Sequence, residues 1–294
     1  MSDQMQKEPH TEERERDSAS RVETLISALN ENVTLIAHRM RLETDAVIVN
    51  QCNENARSQY FYGPCLIRCI HVHERGVGRS RNRALDEARA EIVLFSDEDI
   101  VYDEGYAERV SGAFDTYTDA DLILFNVRQS TGRHTYHIEK AGRVNGFNYG
   151  RYPTYAIAAR LARIRRAGIR FSHDFGGGAT YMNGEDSLFL HDCLKASLRI
   201  YKVPAMLGRE SEGESTWFEG YTDTFFFDRG VLYHYLYGKA AVPCAIRFLL
   251  KNKREMCREK SFRECLQKMK EGIAHGAVSS GHGSDDSAID THQG

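Results

Sequence analysis

Apolar residues fall into short continuous runs separated by polar, helix-patterned stretches. Residues 22–29 (VETLISAL), 46–49 (AVIV), 66–72 (LIRCIHV), 92–95 (IVLF) and 120–127 (ADLILFNV) read as strands buried on both faces. Between them, residues 30–43 read as a helix or irregular turn with Leu35, Ile36 and Met40 on one side. Residues 79–90 read as a helix with Ala84, Leu85 and Ala88 inward, and 108–117 as another. Further on, 155–168 predicts a helix stopped by Gly168, and Glu185–Asp186 open a second helix with Phe189, Leu190, Cys193 and Leu194 apolar. Residues 200–203 form a short strand ended by Pro204; 228–237 and 245–250 read as helices. Buried strands alternating with helices predict an α/β fold with a mainly parallel central sheet flanked by helices.

In such sheets ligands collect beyond the carboxyl ends of the strands. Polar groups stand at three such ends: Asn30, the cluster Asn50-Gln51-Cys52-Asn53, and Asp97-Glu98-Asp99. Three carboxylates leaving a buried strand are costly without positive charge among them. Gly76-Val77-Gly78 permits a tight approach, and Arg79, Arg81 and Arg83 follow at the start of a helix. Cations there oppose the helix dipole, so an anion nearby would account for them. A second stretch, 171–197, carries Gly176-Gly177-Gly178 and then Gly184-Glu185-Asp186. Adjacent helical residues point about 100° apart, so Glu185 and Asp186 are expected to face different spots. Residues 128–150 predict a hairpin or long loop, where His134, Tyr136 and His137 are weaker candidates; the loop around Trp217 is a candidate wall or lid.

Bulk properties narrow the class. The chain has 294 residues, 41% of them apolar, and a formal charge of −3, which gives no reason to expect nucleic-acid binding. No apolar run reaches the roughly 18 residues of a spanning helix, and the N-terminus lacks a signal-peptide core, so a cytoplasmic protein is expected. Seven cysteines without a secretory signal read as free thiols; Cys65 and Cys69 lack a second pair for zinc. Residues 1–20 and 273–294 read as disordered tails around a domain at 21–240 and a basic helical extension at 241–272. Between Arg247 and Lys270 there are nine Lys or Arg against three Glu, suiting peripheral contact with an anionic membrane through 244–270.

An Asp97-x-Asp99 pair at a strand end suits Mn2+ or Mg2+ bridging to phosphates, and Glu185 or Asp186 suits a general base. LISALN (25–30), AVIVNQCN (46–53), RGVGRSRNRALDEA (75–88), IVLFSDEDIVYDEGY (92–106) and NGEDSLFLHDCLKAS (183–197) together resemble a family 2 glycosyltransferase of the GT-A fold, over roughly residues 22–240. The resemblance points to bacterial cell-surface polysaccharide biosynthesis. It implies a nucleotide-sugar donor, a UDP-sugar, held by Ala28, Asn30, Asn50, Gln51 and Asn53, with Arg79, Arg81 and Asp97 beside the phosphates. It further implies a divalent metal on Asp97 and Asp99, Asp186 as base, Glu185 on the side of a glycan or lipid-linked acceptor, and inversion at the anomeric carbon. Two departures stand out. Asn50 and Gln51 occupy a place where many relatives have aspartate, and Leu207-Gly208-Arg209-Glu210 lacks a histidine found in many, which leaves either Arg209 as a phosphate ligand or the metal held less tightly.

Three rival classes make different demands. A nucleotidyltransferase on a sugar phosphate wants a basic glycine-rich loop after the first strand, which LISALNEN lacks. A haloacid-dehalogenase-like phosphatase wants a hydroxyl where Val101 stands. A carbohydrate-binding scaffold would turn over no sugar nucleotide.

Overall fold

The structure, a computed structural model, describes residues 20–129, 136–211 and 220–282. His134, Trp217, residues 1–19 of the expected N-terminal tail and residues 283–294 of the expected C-terminal one lie outside them. The chain opens with β1 (Val22–Leu29) and α1 (Val33–Met40), whose N-cap Asn32 accepts from the Thr34 N–H. Val33, Ile36, Ala37 and Met40 face inward, whereas Leu35, expected inward, is 59% exposed. Then come β2 (Asp45–Gln51), β3 (Ala56–Tyr62), β4 (Cys65–Val72), α2 (Val77–Glu87), β5 (Ile92–Asp97), β6 (Ile100–Tyr102) and α3 (Tyr106–Thr116). The second half has β7 (Leu122–Arg128), β8 (Gly142–Arg143), β9 (Ile157–Arg160), α4 (Leu161–Ala167), α5 (Glu185–Lys195), β10 (Ile200–Glu210), α6 (Asp223–Tyr237), α7 (Ala241–Met256) and α8 (Phe262–His282).

One sheet runs in the order β3-β4-β2-β1-β5-β9-β7-β10-β6, with β8 on β10. The parallel pairs expected from the apolar runs are present as β4-β2-β1-β5 and β7-β10; the remaining pairs are antiparallel, so the sheet as a whole is mixed. The runs are mostly apolar because both faces are covered, and the buried charges Glu23 of β1 and Arg68 of β4 are paired with each other. Along β5, Val93 and Phe95 enter the core beneath α2 and α5, while Ile92 and Leu94 enter the core beneath α1 and α3.

Three elements depart from the pattern expected of the sequence. β3 (ARSQYFY) is almost wholly exposed on the sheet edge, so no buried run marks it. Residues 157–160, expected within a helix, form β9 in the slot between β5 and β7. Ile157, Ala158 and Ala159 are fully buried there, so pairing on both edges overrides alanine's helical preference. β10 runs on past Pro204 to Glu210; register shifts after Lys202 and Met206 accommodate the proline, which is exposed.

The C-terminal helices complete the molecule. Leu249 of α7 and Cys265 and Met269 of α8 belong to the same apolar core as Leu25 and Phe95. α8 reaches His282, beyond residue 273 where a tail was expected. A Cβ on Gly272 would lie 2.0 Å from the Phe227 carbonyl, and one on Gly230 would lie 2.1 Å from that of Met269, so these glycines let α6 and α8 meet backbone to backbone. Low-complexity sequence is thus helical here because α6 provides a surface for it.

Candidate active site

A cleft of about 840 Å³ opens at the carboxyl ends of β1, β2 and β5. Its floor is Ser27–Asn30 and Gln51; one wall is Arg75–Val77 and Arg81, the other Met182–Asp186 at the start of α5. The acidic turn Asp97–Asp99 and Glu210 close the far end. Two sequence stretches far apart are thereby joined. An aromatic cluster holds them together: Phe171 stacks on Phe189 of α5 at 4.1 Å between centroids, and Phe95 of β5 meets both rings edge-on at 5.2 and 5.6 Å. Gly184, at φ 125°, sits against Leu232 of α6, where a Cβ would come within 2.7 Å. Met182 N–H donates to the buried Asp228 carboxylate of α6 at 2.9 Å. The start of α5 is therefore fixed from behind by α6.

Arg81 lies at the centre. Its side chain is 4% exposed and its guanidinium donates to Asp97 Oδ1 at 2.9 Å and Glu185 Oε1 at 3.2 Å, with Asp186 Oδ1 at 3.6 Å. Burial opposes its charge, but the carboxylates of Asp97, Glu185 and Asp186 outweigh this and raise its pKa. Two expectations change. Arg81 is committed to carboxylates rather than open to phosphate. Glu185 and Asp186 do meet at one spot, because a single guanidinium nitrogen bridges the divergent side chains. Its Nε has no hydrogen-bond partner.

Among the described residues the acids outnumber the cations in the cleft: Asp97, Glu98, Asp99, Glu185, Asp186 and Glu210 line it with Arg75 and Arg81. Burial first, and the Glu185 charge second, raise the Asp186 pKa to about 7; Arg81 and the Thr154 hydroxyl, which donates to Asp186 Oδ1, work against that rise. Burial, then the charges of Asp97, Asp99 and Glu31, raise Glu98 to about 7 as well. Surplus negative charge on hard oxygen donors is what Mn2+ or Mg2+ requires, so the residues fit such an ion.

The structure sorts the other candidates. Ala28, Asn30 and Gln51 line the cleft. Asn30 adopts φ 54°, and its N–H donates to the Gln51 carbonyl at 3.1 Å. Asn50 is buried behind the cleft wall, where it accepts from Glu31 N–H and donates to the Glu31 carbonyl; it shapes the turn carrying Asn30. Asn53 is exposed in the turn after β2, outside the cleft. Arg79 is exposed too, since α2 begins at Val77 and turns it to solvent as Arg81 turns inward. Strand alternation turns Arg209 outward and Glu210 inward. Tyr136 and His137 line a different cavity of about 300 Å³ with Asn126, Arg128 and Tyr152.

Sequence reasoning passed over Arg75, Thr154, Tyr155 and Glu210. Arg75 donates to the Gln51 carbonyl from the loop before α2. Tyr155 accepts from the Gln129 amide at 2.9 Å and lies against Glu210. Thr154 and Tyr155 sit in a 3-10 turn at the start of the helix expected over 155–168, and no local spacing signals them.

Residues 23–182, more than half the chain, match the sequence profile of glycosyl transferase family 2. The chain therefore belongs to that family and is a glycosyltransferase, which sets aside the nucleotidyltransferase, phosphatase and scaffold readings. Its fold is that of the GT-A enzymes. S. aureus TarS 1-349 in complex with UDP-GlcNAc superposes with a TM-score of 0.58 at 16% identity, covering 79% of this chain and 72% of that one. The same TarS fragment in complex with UDP gives a TM-score of 0.55 at 14% identity, covering 93% and 94%. No curated protein matches the sequence.

Proposed function

We propose that the protein transfers a sugar from a nucleoside-diphosphate donor, a UDP-sugar, to a hydroxyl of a glycan or lipid-linked saccharide, with inversion. The observation that carries this reading is the cleft that puts Asp97 and Asp186 on one guanidinium at the strand ends. Ala28, Asn30 and Gln51 offer the surface for the nucleotide, with Arg75 fixing the Gln51 backbone. The uridine preference rests on the resemblance to family members and on TarS having been solved with UDP-GlcNAc.

Asp97 and Asp99 would hold Mn2+ or Mg2+. When bound, the ion supplies charge neutralisation for the diphosphate that leaves. Asp186 is the base. One of its oxygens is fixed by Thr154 and faces Arg81, and a pKa raised to about 7 matches the acceptance of a hydroxyl proton near neutrality. Glu185 is engaged by Arg81 and by the Gly184 N–H at 3.2 Å, so it positions the acceptor side rather than taking the proton. A single displacement, in which the hydroxyl deprotonated by Asp186 bonds to the anomeric carbon as the nucleoside diphosphate leaves, inverts that carbon. No described helix is long and apolar enough to cross a membrane. The basic faces of α7 and α8 provide peripheral contact with an anionic bilayer.

The test is a panel of nucleotide sugars with Mn2+, scored for transfer and hydrolysis, run on the native chain and on Asp99→Asn. The expected result is turnover of a UDP-sugar that needs metal and disappears in Asp99→Asn with folding intact. Unchanged donor affinity and turnover in that variant would remove the metal assignment. Turnover of none of the panel would remove the donor class.

A further inference from the structure

Outside the cleft, Cys52, Glu54 and His71 form a second cluster. It is the one group of three His, Cys, Asp or Glu side chains, among the described residues, whose donor atoms lie within 4.8 Å of one another. Cys52 follows the last residue of β2, Glu54 lies in the turn to β3, and His71 lies on β4. Backbone pairing fixes their relative places. Asn50 is in register with His71, and Cys52 N–H donates to the Val72 carbonyl at 3.0 Å.

We infer that Cys52, Glu54 and His71 bind a single Zn2+ ion, with solvent as the fourth ligand. Zinc takes sulfur at about 2.3 Å and nitrogen or oxygen at about 2.0–2.2 Å in a tetrahedron, which places its donors roughly 3.3–3.6 Å apart. Cys52 Sγ lies 3.6 Å from His71 Nδ1, and His71 Nδ1 lies 3.4 Å from Glu54 Oε1. Both of these separations match edges of a zinc tetrahedron, and all three donor atoms lie within 4.8 Å of one another. The set also favours zinc over the hard ions suited to the cleft, since a thiolate and an imidazole are poor ligands for Mg2+. The Glu54 side chain is 67% exposed, so water reaches the remaining position, while His71 at 15% is held in place. On binding, the Cys52 thiol gives its proton to solvent and the imidazole coordinates through Nδ1 as the neutral ring. The ion would fasten the turn that follows Gln51, whose carbonyl accepts from Asn30 and Arg75 in the cleft.

The experiment is titration of the purified full-length, metal-stripped protein with Co2+ alone and then Zn2+, without nucleotide. One equivalent of Co2+ should give a thiolate-to-cobalt charge-transfer band, which one equivalent of Zn2+ removes. Cys52→Ser should abolish the band, and His71→Ala should weaken Co2+ binding at least tenfold. Cys257→Ser and Asp99→Asn should leave both unchanged; the second separates this site from the acidic cleft. Absence of the band in the native protein, or its persistence in Cys52→Ser, would mean that the three side chains form a hydrogen-bonded trio only. Loss of glycosyl transfer bears on the cleft and leaves this readout unaffected.

Discussion

At the residue scale the site turns on one cation among acids. Arg81 donates to Asp97 and Glu185 and sits beside Asp186, so it spans the donor side and the proposed base. Replacing it with glutamine leaves those carboxylates uncompensated in a buried place, an expected loss on the order of 3–5 kcal/mol by denaturant unfolding. Arg81→Lys keeps the charge but lacks the planar fork, so the base loses part of the attraction that keeps it ionised. The acidic limb of the kcat/KM profile, set by Asp186 at about 7, should then move to higher pH. A limb that stays in place would show that Arg81 does not tune the base. Asp186→Asn should lower kcat by roughly 10²–10⁴-fold while donor binding persists. The same raised pKa has a sign for stability. Asp186 binds its proton more tightly in the folded than in the unfolded chain, so its ionisation destabilises the fold above pH 7, and this penalty is gone below about pH 4. In metal-free buffer Asp186→Asn should therefore have a higher Tm than the native chain at pH 8, with the difference vanishing near pH 4. The sequence exposed Asp97, Asp99, Glu185, Asp186 and Arg81 as charges out of place near strand and helix ends. It could not expose Arg75 or Glu210, whose direction depends on a loop and on strand alternation decided elsewhere.

At the scale of elements, legibility followed burial. β1, β2, β4, β5 and β7 are apolar because helices cover both faces, and that is visible in a run of side chains. β3 is an exposed edge, β9 is inserted from a helix-like sequence, and β10 tolerates Pro204 through irregular register, so each answers to a neighbour rather than to its own composition. The device that joins these neighbours is Asp121, just ahead of β7 and 2% exposed. It accepts from Arg163 Nε of α4 at 2.6 Å and from the Arg199 N–H before β10 at 2.8 Å. Burial alone would raise its pKa, but these bonds and the Arg163 charge bring it below the ordinary aspartate value. Its contribution is therefore present above the unfolded pKa of about 4 and is lost as acid takes the pH through the lower folded value. Asp121→Ala leaves the Arg199 N–H without its acceptor while the half-exposed arginines return to water, so it should destabilise the protein by about 1–3 kcal/mol at pH 7, measured by urea unfolding. It should also flatten the acid limb of the stability profile. A change under about 0.5 kcal/mol would mean that β9 and β10 are held without this knot.

At the scale of the whole molecule, the C-terminal helices belong to the enzyme's architecture. α6 lies behind Gly184 and anchors Met182 through Asp228, and α8 packs on α6 along Gly230 and Gly272. A deletion of residues 244–270 would strip Leu249, Cys265 and Met269 from the main core, so it would report on folding before it reported on membranes. The membrane proposal needs a gentler probe. On α7, Ala241, Ala245 and Leu249 are buried, while Leu250 is 61% exposed beside Lys251, with Lys253 and Arg254 also exposed. An exposed leucine among cations is the arrangement that inserts shallowly into an anionic interface, each cation contributing about 1 kcal/mol near the surface. Lys251→Glu with Arg254→Glu reverses charge on the solvent face and leaves the packed face untouched. Sedimentation with phosphatidylserine-containing vesicles should bring down the native chain at low salt, release it as salt rises, and leave the double variant in the supernatant. Neutral phosphatidylcholine vesicles should retain neither. Equal sedimentation of both proteins would overturn the contact. Equal turnover of a soluble acceptor by both would confine the effect to the surface, because the described lining of the cleft includes no residue of α7.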